Sequence, residues 1–167
     1  MFRKIDDFVN AWIENSNGTR KLFGALADGS LGQSVADGHR KLGQIAWHIT
    51  MTIPEMCGRM GLDFDGFDHQ ALPPDSAREI CDTYDRLASK LAEEVKSRWT
   101  DADLEIEDDM YGMQWKRGFS LAGLLAHEAH HRGQMTVLMR QAGLEVPGVF
   151  GPSKNEWGQF GMEAPAY

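Results

Sequence analysis

Ser120-Leu121-Ala122-Gly123-Leu124-Leu125-Ala126-His127-Glu128-Ala129-His130-His131-Arg132-Gly133-Gln134-Met135 opens a segment that reads as one long helix, Leu121 to Gln141, with Ser120 as its cap and Gly143 as its stop. At 100° per residue, with His131 at zero, Leu124, Met135, Leu138 and His127 all fall within about 40° of it. His130 and Arg132 fall about 100° away on opposite flanks. The core-facing stripe therefore carries two histidines, His127 and His131, at the i, i+4 spacing that lets two imidazoles reach one cation.

A single histidine on an apolar face is ordinarily a satisfied core residue. Two facing the same core are a different matter. Protonated together they repel, and neutral together each needs a partner for its ring nitrogens. A metal ion satisfies both acceptors at once.

Three further helices can be read ahead of this one. Ile5, Phe8, Val9, Trp12 and Ile13, then Leu22, Phe23 and Leu26, recur at helical spacing from Arg3 to Ala27, with Asp28-Gly29 as the stop. Asn15-Ser16-Asn17-Gly18 is poor helix material, and a kink is expected there. Leu42, Ile45, Ile49, Ile53 and Met56 mark a second helix from Gly38 to Met60, which absorbs Pro54 as a kink. Gly61 to Pro74 reads as loop. Its spaced acids, Asp63 and Asp65, lack the third ligand and closing Glu of a calcium loop. Ser76 and Glu79 form a capping box for a third helix, Ala77 to Trp99, striped by Ile80, Tyr84, Leu87, Leu91 and Val95.

From Asp103 to Lys116 the period changes to two around a Tyr111-Gly112 turn, which predicts a small hairpin. Leu144 to Tyr167, rich in Gly and Pro, reads as an extended tail. The expectation is an all-α fold: one domain over 1–167, a four-helix bundle over 1–143 and the tail over 144–167. One short and two longer connections suggest a topology with crossovers rather than simple up-down-up-down.

Composition narrows the partners. A chain of 167 residues with 42% hydrophobic and 25% charged residues can bury its own core. Its net charge of -8 argues against nucleic acid or an anionic membrane as the main partner, because phosphate binding needs a basic surface. No apolar run approaches spanning length and the N-terminus carries no signal-like segment, so a cytoplasmic location is expected. Cys57 and Cys81 are read as reduced, buried thiols rather than a disulfide.

Zinc-like sites want a third protein ligand. His48, mid-helix and at the border of its apolar stripe, suits a ligand at a bundle mouth. His39 at a helix start and His69 in the acidic loop are expected at the surface. Three histidines from two helices leave a coordination position open, as catalytic sites do.

His127-Glu128-Ala129-His130-His131 also matches the metalloprotease pattern H-E-x-x-H, with Glu128 as general base. Its third ligand would have to be Glu156, in a segment with no helix to hold it. The di-iron carboxylate bundle, which shares E-x-x-H, needs a second copy that the chain lacks.

Trp47-His48-Ile49, with Leu42-Gly43 ahead of it, and His127-x-x-His130-His131-Arg132-Gly133-Gln134 together resemble the DinB/YfiT-like family over most of the chain. The resemblance implies a four-helix bundle in which His48, His127 and His131 hold a divalent metal, zinc or nickel first among the candidates. Glu128 is then not required as a base and becomes a supporting or surface residue. Members with known activities are largely thiol-dependent S-transferases and isomerases. The resemblance therefore implies a low-molecular-weight thiol as co-substrate and a small-molecule electrophile, and members that pair through bundle faces make a homodimer an expectation. The alternative is a metal-binding bundle without catalysis, a sensor or a vestigial site. Arg132 is expected to pair with a carboxylate on a neighbouring helix and Gln134 to hydrogen-bond near the site. Gly133 and Gly123 are expected to allow close helix approach, and the tryptophans to pack in the core.

Overall fold

The computed structural model describes residues 1–64, 66, 68 and 70–166. The principal elements are α1 (Ile5–Gly24), α2 (Leu42–Arg59), α3 (Ala77–Arg98), the strands β1 (Glu107–Met110) and β2 (Met113–Lys116), and α4 (Arg117–Gln141). The main helix contacts are α1 with α3, α2 with α4, α2 with α3 and α1 with α4. α1 and α2, and likewise α3 and α4, thus sit across the diagonals with links that cross the ends of the bundle, while α2 and α3 are packed neighbours. All three links are long. The first, expected to be short, runs from Ala25 to Lys41, because α1 ends at Gly24 and α2 begins only at Leu42.

The core is apolar and continuous. Phe8 and Trp12 of α1, Ile49 and Ile53 of α2, Tyr84, Leu87 and Leu91 of α3, and Leu124, Met135 and Leu138 of α4 are all buried. Apart from Ile13 of α1, which is 44% exposed, each stripe read from the sequence is the face that its helix turns inward. Burying a side chain of this size is worth about 1.5–3 kcal/mol, so the stripes dominate the choice of fold.

Local signals set the ends. Ser76 Oγ accepts from Glu79 N at 3.3 Å, the backbone half of the expected capping box. Asp28 is not the stop of α1: its Oδ1 accepts from Ala77 N at 2.7 Å and so serves the start of α3. Asp101 Oδ1 does the same for Ile5 N of α1, at 2.8 Å. Ser120 is not the cap of the last helix. The helix starts at Arg117, directly after β2, and Ser120 lies inside its first turn, fully buried. Arg117 is fixed there by Asp108, Nε to Oδ2 at 2.8 Å, and its N–H donates to Ile106 O at 2.9 Å. Gly118 is needed at this junction, since a Cβ would lie 2.1 Å from Phe2 O.

The expected hairpin is present but shorter. Asp101–Glu105, including Leu104, form a 3₁₀ turn, and antiparallel pairing runs from Glu107↔Lys116 to Met110↔Met113. Tyr111 (φ 57°) and Gly112 (φ 83°) make the two-residue turn, both in the left-handed region. Pro54 lies within an α2 that continues to Arg59. The Asn15–Gly18 stretch does not break α1. The tail holds one 3₁₀ turn, Trp157–Phe160, and Val149 packs onto Gly18, where a Cβ would meet Val149 Cγ1 at 2.4 Å. Cys57 is buried and Cys81 half-buried, and both are free thiols. Among the described residues no helix is long and apolar enough to cross a membrane.

Candidate metal centre

α2 and α4 pack together and bring three imidazoles to one point. His48 Nε2 lies 3.2 Å from His127 Nε2, which lies 3.1 Å from His131 Nε2. The three rings are steeply inclined to one another, by 69°, 88° and 74°. His131 is buried, while His48 and His127 are half-buried. Position His48 owes to α2, where Thr52 Oγ1 donates to His48 O at 2.7 Å and ties the turn.

These distances fit a cation. Metal–nitrogen bonds of about 2.0–2.1 Å in tetrahedral geometry separate ligand nitrogens by about 3.3 Å. A neutral ring nitrogen has one in-plane site, so a single proton on His127 Nε2 cannot serve both neighbours. One ion facing all three nitrogens can. Gln134 sets the tautomer of His131: His131 Nδ1 donates to Gln134 Oε1 at 2.7 Å, which leaves Nε2 with its lone pair free. His127 Nδ1 is buried and has no hydrogen-bond partner among the described residues.

Burial pushes the pKa of His48 down to about 4, helped by the charges of His131 and Arg40. Burial, then His131 and His48, push His127 down to about 4 as well. His131 is lowered by burial against the pull of Gln134. His48 and His127 therefore stay neutral, the form that binds metal, well below neutral pH, and burial favours the same form of His131. Arg40, missed by the sequence reading, disfavours protonation of all three. It lies on a cavity of about 520 Å³ with His39, Gln134 and Leu138. A second cavity, about 400 Å³, opens on the histidines themselves, with His48 and His127 at one end and Met51, Met56, Trp115 and Glu55 along its walls.

Glu128 does not face this cavity. It is 2% exposed, and it accepts from Thr19 Oγ1 at 2.8 Å, from Asn15 Nδ2 and from the Tyr84 hydroxyl. Arg132, 3% exposed, donates to Asn15 Oδ1 at 2.7 Å, Asn15 O at 2.5 Å and Thr19 Oγ1 at 3.0 Å. Asn15 and Thr19, i and i+4 on α1, thus bridge Glu128 and Arg132, i and i+4 on α4. Each bridging group donates to the acid and accepts from the base. Burial pushes the Glu128 carboxyl up against these donors, and pushes Arg132 down against the attraction of Glu128. The partners expected for Arg132 were carboxylates on other helices; its hydrogen bonds go to an amide, a carbonyl and a hydroxyl of α1. A signal existed: on the wheel Glu128 falls only about 60° from His131, inside the inward arc.

The other candidates lie elsewhere. His130 is exposed, its ring 4.9 Å from that of His131, with Nε2 3.2 Å from Gln134 Nε2. His39 is exposed. His69 and Asp65 lie outside the described residues. Glu156 accepts from Gly148 N at 2.9 Å and Ser153 N at 2.7 Å, within the tail. With Glu128 buried and Glu156 occupied, the protease reading has neither its base nor its third ligand. Gly133 has nothing within 4 Å of a Cβ and does not serve close approach, whereas Gly123 meets Trp115 at an ordinary 3.6 Å.

Comparison with known proteins agrees with this construction. The family model described as "DinB family" matches residues 1–163. The uncharacterized protein YrdA of Bacillus subtilis (strain 168) is 41% identical over 165 residues, 99% of each chain. A DinB-like protein from Bacillus cereus ATCC 10987 superposes with a TM-score of 0.85 at 42% identity, covering 90% of this chain and 100% of that one. A second, YjoA from Bacillus subtilis, shares the fold at a TM-score of 0.67 and 16% identity, covering 86% and 97%. Histidine signature, bundle and relatives converge: the chain belongs to the DinB family.

Proposed function

We propose that this chain is a metal-dependent enzyme that activates a thiol for transfer to, or isomerisation of, a small molecule, with His48, His127 and His131 as the ligands of a divalent ion, zinc or nickel. The observation that carries it is the convergence of three imidazoles, with His127 Nε2 3.2 Å from His48 Nε2 and 3.1 Å from His131 Nε2 and all three ligand atoms within 4.8 Å of one another, beside a cavity of about 400 Å³. A divalent ion on three imidazoles keeps a position for an exogenous ligand and, with a thiol in it, would hold that thiol as thiolate near neutral pH.

The protein's own residues set the conditions. Neutral imidazoles add no charge, so the ion keeps its full Lewis acidity. Gln134 fixes His131 in the metal-ready tautomer. Met51, Met56 and Trp115 give the substrate body an apolar, poorly hydrated wall. The buried Glu128–Arg132 assembly holds α4 against α1 and with it the two histidines that α4 carries.

The test is turnover of an electrophile panel with low-molecular-weight thiols by zinc- and nickel-loaded protein, beside His127→Ala. Turnover that needs both thiol and metal and is lost in the variant supports the reading. Full metal occupancy with no turnover across the panel would leave the non-catalytic metal-binding alternative.

A further inference from the structure

The cavity has two ends, and only one is accounted for by the histidines. His48 and Glu55 stand seven residues apart on α2, two turns and about 10 Å along one face. Glu55 lines the same cavity as His48 and His127, and so does Tyr111 from the tip of the hairpin. Tyr111 donates its hydroxyl to Glu55 Oε2 at 2.5 Å, and Arg59 Nε donates to Glu55 Oε1 at 2.7 Å. The Arg59 guanidinium also lies 4.5 Å from the centroid of the Tyr111 ring.

Tyr111 is an unusual occupant of its turn. It is the one non-glycine residue with positive φ among those described, at a position where Asn or Asp before Gly is preferred. A bulky residue there costs about 1–2 kcal/mol in backbone strain. Its ring is half exposed, so core packing does not repay that strain. What the position does is carry an aromatic wall and a hydroxyl over the cavity.

Among the described residues Glu55 is the only carboxylate on the cavity lining. A carboxylate offers about four acceptor sites, and Tyr111 and Arg59 take two. We infer that Glu55, held by Tyr111 and Arg59, is the specificity-determining end of the metal cavity and binds the primary ammonium group of a small molecule whose other end reaches the histidine cluster. The ligand class is an ω-amino compound with an apolar body of a few methylenes and a metal-binding group. The acceptor sites that Glu55 keeps beside its ion pair with Arg59 receive the ammonium, Met51, Met56 and Trp115 cover the methylenes, and a carboxylate-terminated ligand meets the Glu55 oxygens, since Arg59 is not among the lining residues. Glu55, 27% exposed in its side chain, can be replaced without breaching the core.

The inference rests on the metal reading above only for the ligand's far end, and the test separates the two. Cobalt-loaded full-length protein is titrated with alkanethiols of three to six methylenes ending in ammonium, methyl or carboxylate, followed by the cobalt–thiolate absorption band. The ammonium series is expected to bind about tenfold tighter than the methyl series at its best length, the worth of one hydrogen bond to a charged group. Glu55→Gln should erase that advantage, and Glu55→Lys should turn the preference to the carboxylate series. Tyr111→Asn, which suits the turn, should weaken all three series while the order among them stays. Equal affinity of the three series for the wild type, or an ammonium preference that survives Glu55→Gln, overturns the inference. Absence of the thiolate band with every thiol would overturn the thiol reading instead. Hexylammonium and hexanoate, followed by thermal shift on metal-free protein, then decide the Glu55 end. A rise in Tm with hexylammonium in wild type but not in Glu55→Gln upholds it, and no difference between the two proteins overturns it.

Discussion

Replacing Arg132 with methionine keeps the length of the side chain and removes its charge and donors from the centre of the bundle. In the wild type the guanidinium makes three hydrogen bonds of 2.5, 2.7 and 3.0 Å to Asn15 and Thr19 and is the charge partner of Glu128. In the variant Glu128 keeps its donors Asn15, Thr19 and Tyr84 but loses its counter-charge, and the buried Asn15 Oδ1 is left with no donor while Asn15 O keeps only its place in the helix ladder. Removing one partner of a buried pair costs about 3–5 kcal/mol, and apolar packing of the methionine returns a small part of that. At roughly 2–4 °C per kcal/mol for a chain of this size, Tm should fall by about 10 °C. The loss should depend on pH. Loss of Arg132 raises further a carboxyl pKa already raised by burial. The native variant then holds a proton that the unfolded chain gives up above about pH 4.3. Relative to wild type, the variant is least destabilised below that pH and loses stability as pH rises through the raised native pKa. Urea unfolding followed by circular dichroism at several pH values measures both effects. A loss under about 1 kcal/mol, or a difference from wild type that does not change between pH 4 and 8, would refute the ion-network account.

Other perturbations test separate links. Gln134→Leu removes the acceptor that sets the His131 tautomer, and zinc affinity by competition titration should fall about 10- to 100-fold with the fold intact; an unchanged affinity would leave Gln134 without its role. The metal-free protein should lose stability as pH falls from about 6.5 toward 4. Over that range the unfolded chain binds protons that His48 and His127, held down to about 4, refuse in the native state. A flat Tm across the window would contradict the burial of those rings. Gly133→Ala, exposed on α4 with open space around its Cβ, should raise Tm by roughly 2–4 °C, a helix-propensity gain of about 1 kcal/mol. Gly118→Ala, facing Phe2 O, should lower it.

The helices and their inward faces were legible because apolar periodicity and burial are the same fact seen twice. Ile80, Tyr84, Leu87, Leu91 and Val95 recur at helical spacing and all are buried in α3. The histidine cluster was legible for the same reason: i, i+4 spacing puts two histidines on one face of α4, and the family signature points to the third on α2. Ends of elements were less so. Ser120 looks like a cap by residue type, yet the chain enters α4 straight from β2, and Arg117 with Asp108 settles the start through a contact nine residues apart.

The buried polar layer was misread because composition gives propensity and no partner. Asn15, in the stretch that looks like a break, and Thr19 just after that stretch are poor helix formers. They are buried in an unbroken α1 because Glu128 and Arg132 of α4 stand opposite. Their satisfaction depends on residues more than a hundred positions away, which no local pattern records. The Glu55–Tyr111 pair is the same kind of feature, visible only when the hairpin folds over α2.

The most direct test of the central claim is the metal content of untagged protein by mass spectrometry, for wild type and for His48→Ala, His127→Ala, His131→Ala and His130→Ala. Near-stoichiometric metal in wild type and His130→Ala, with loss in each of the other three, is the expected result. Metal that survives His48→Ala, or no metal in any of the five proteins after reconstitution with zinc or nickel, would contradict the three-histidine site.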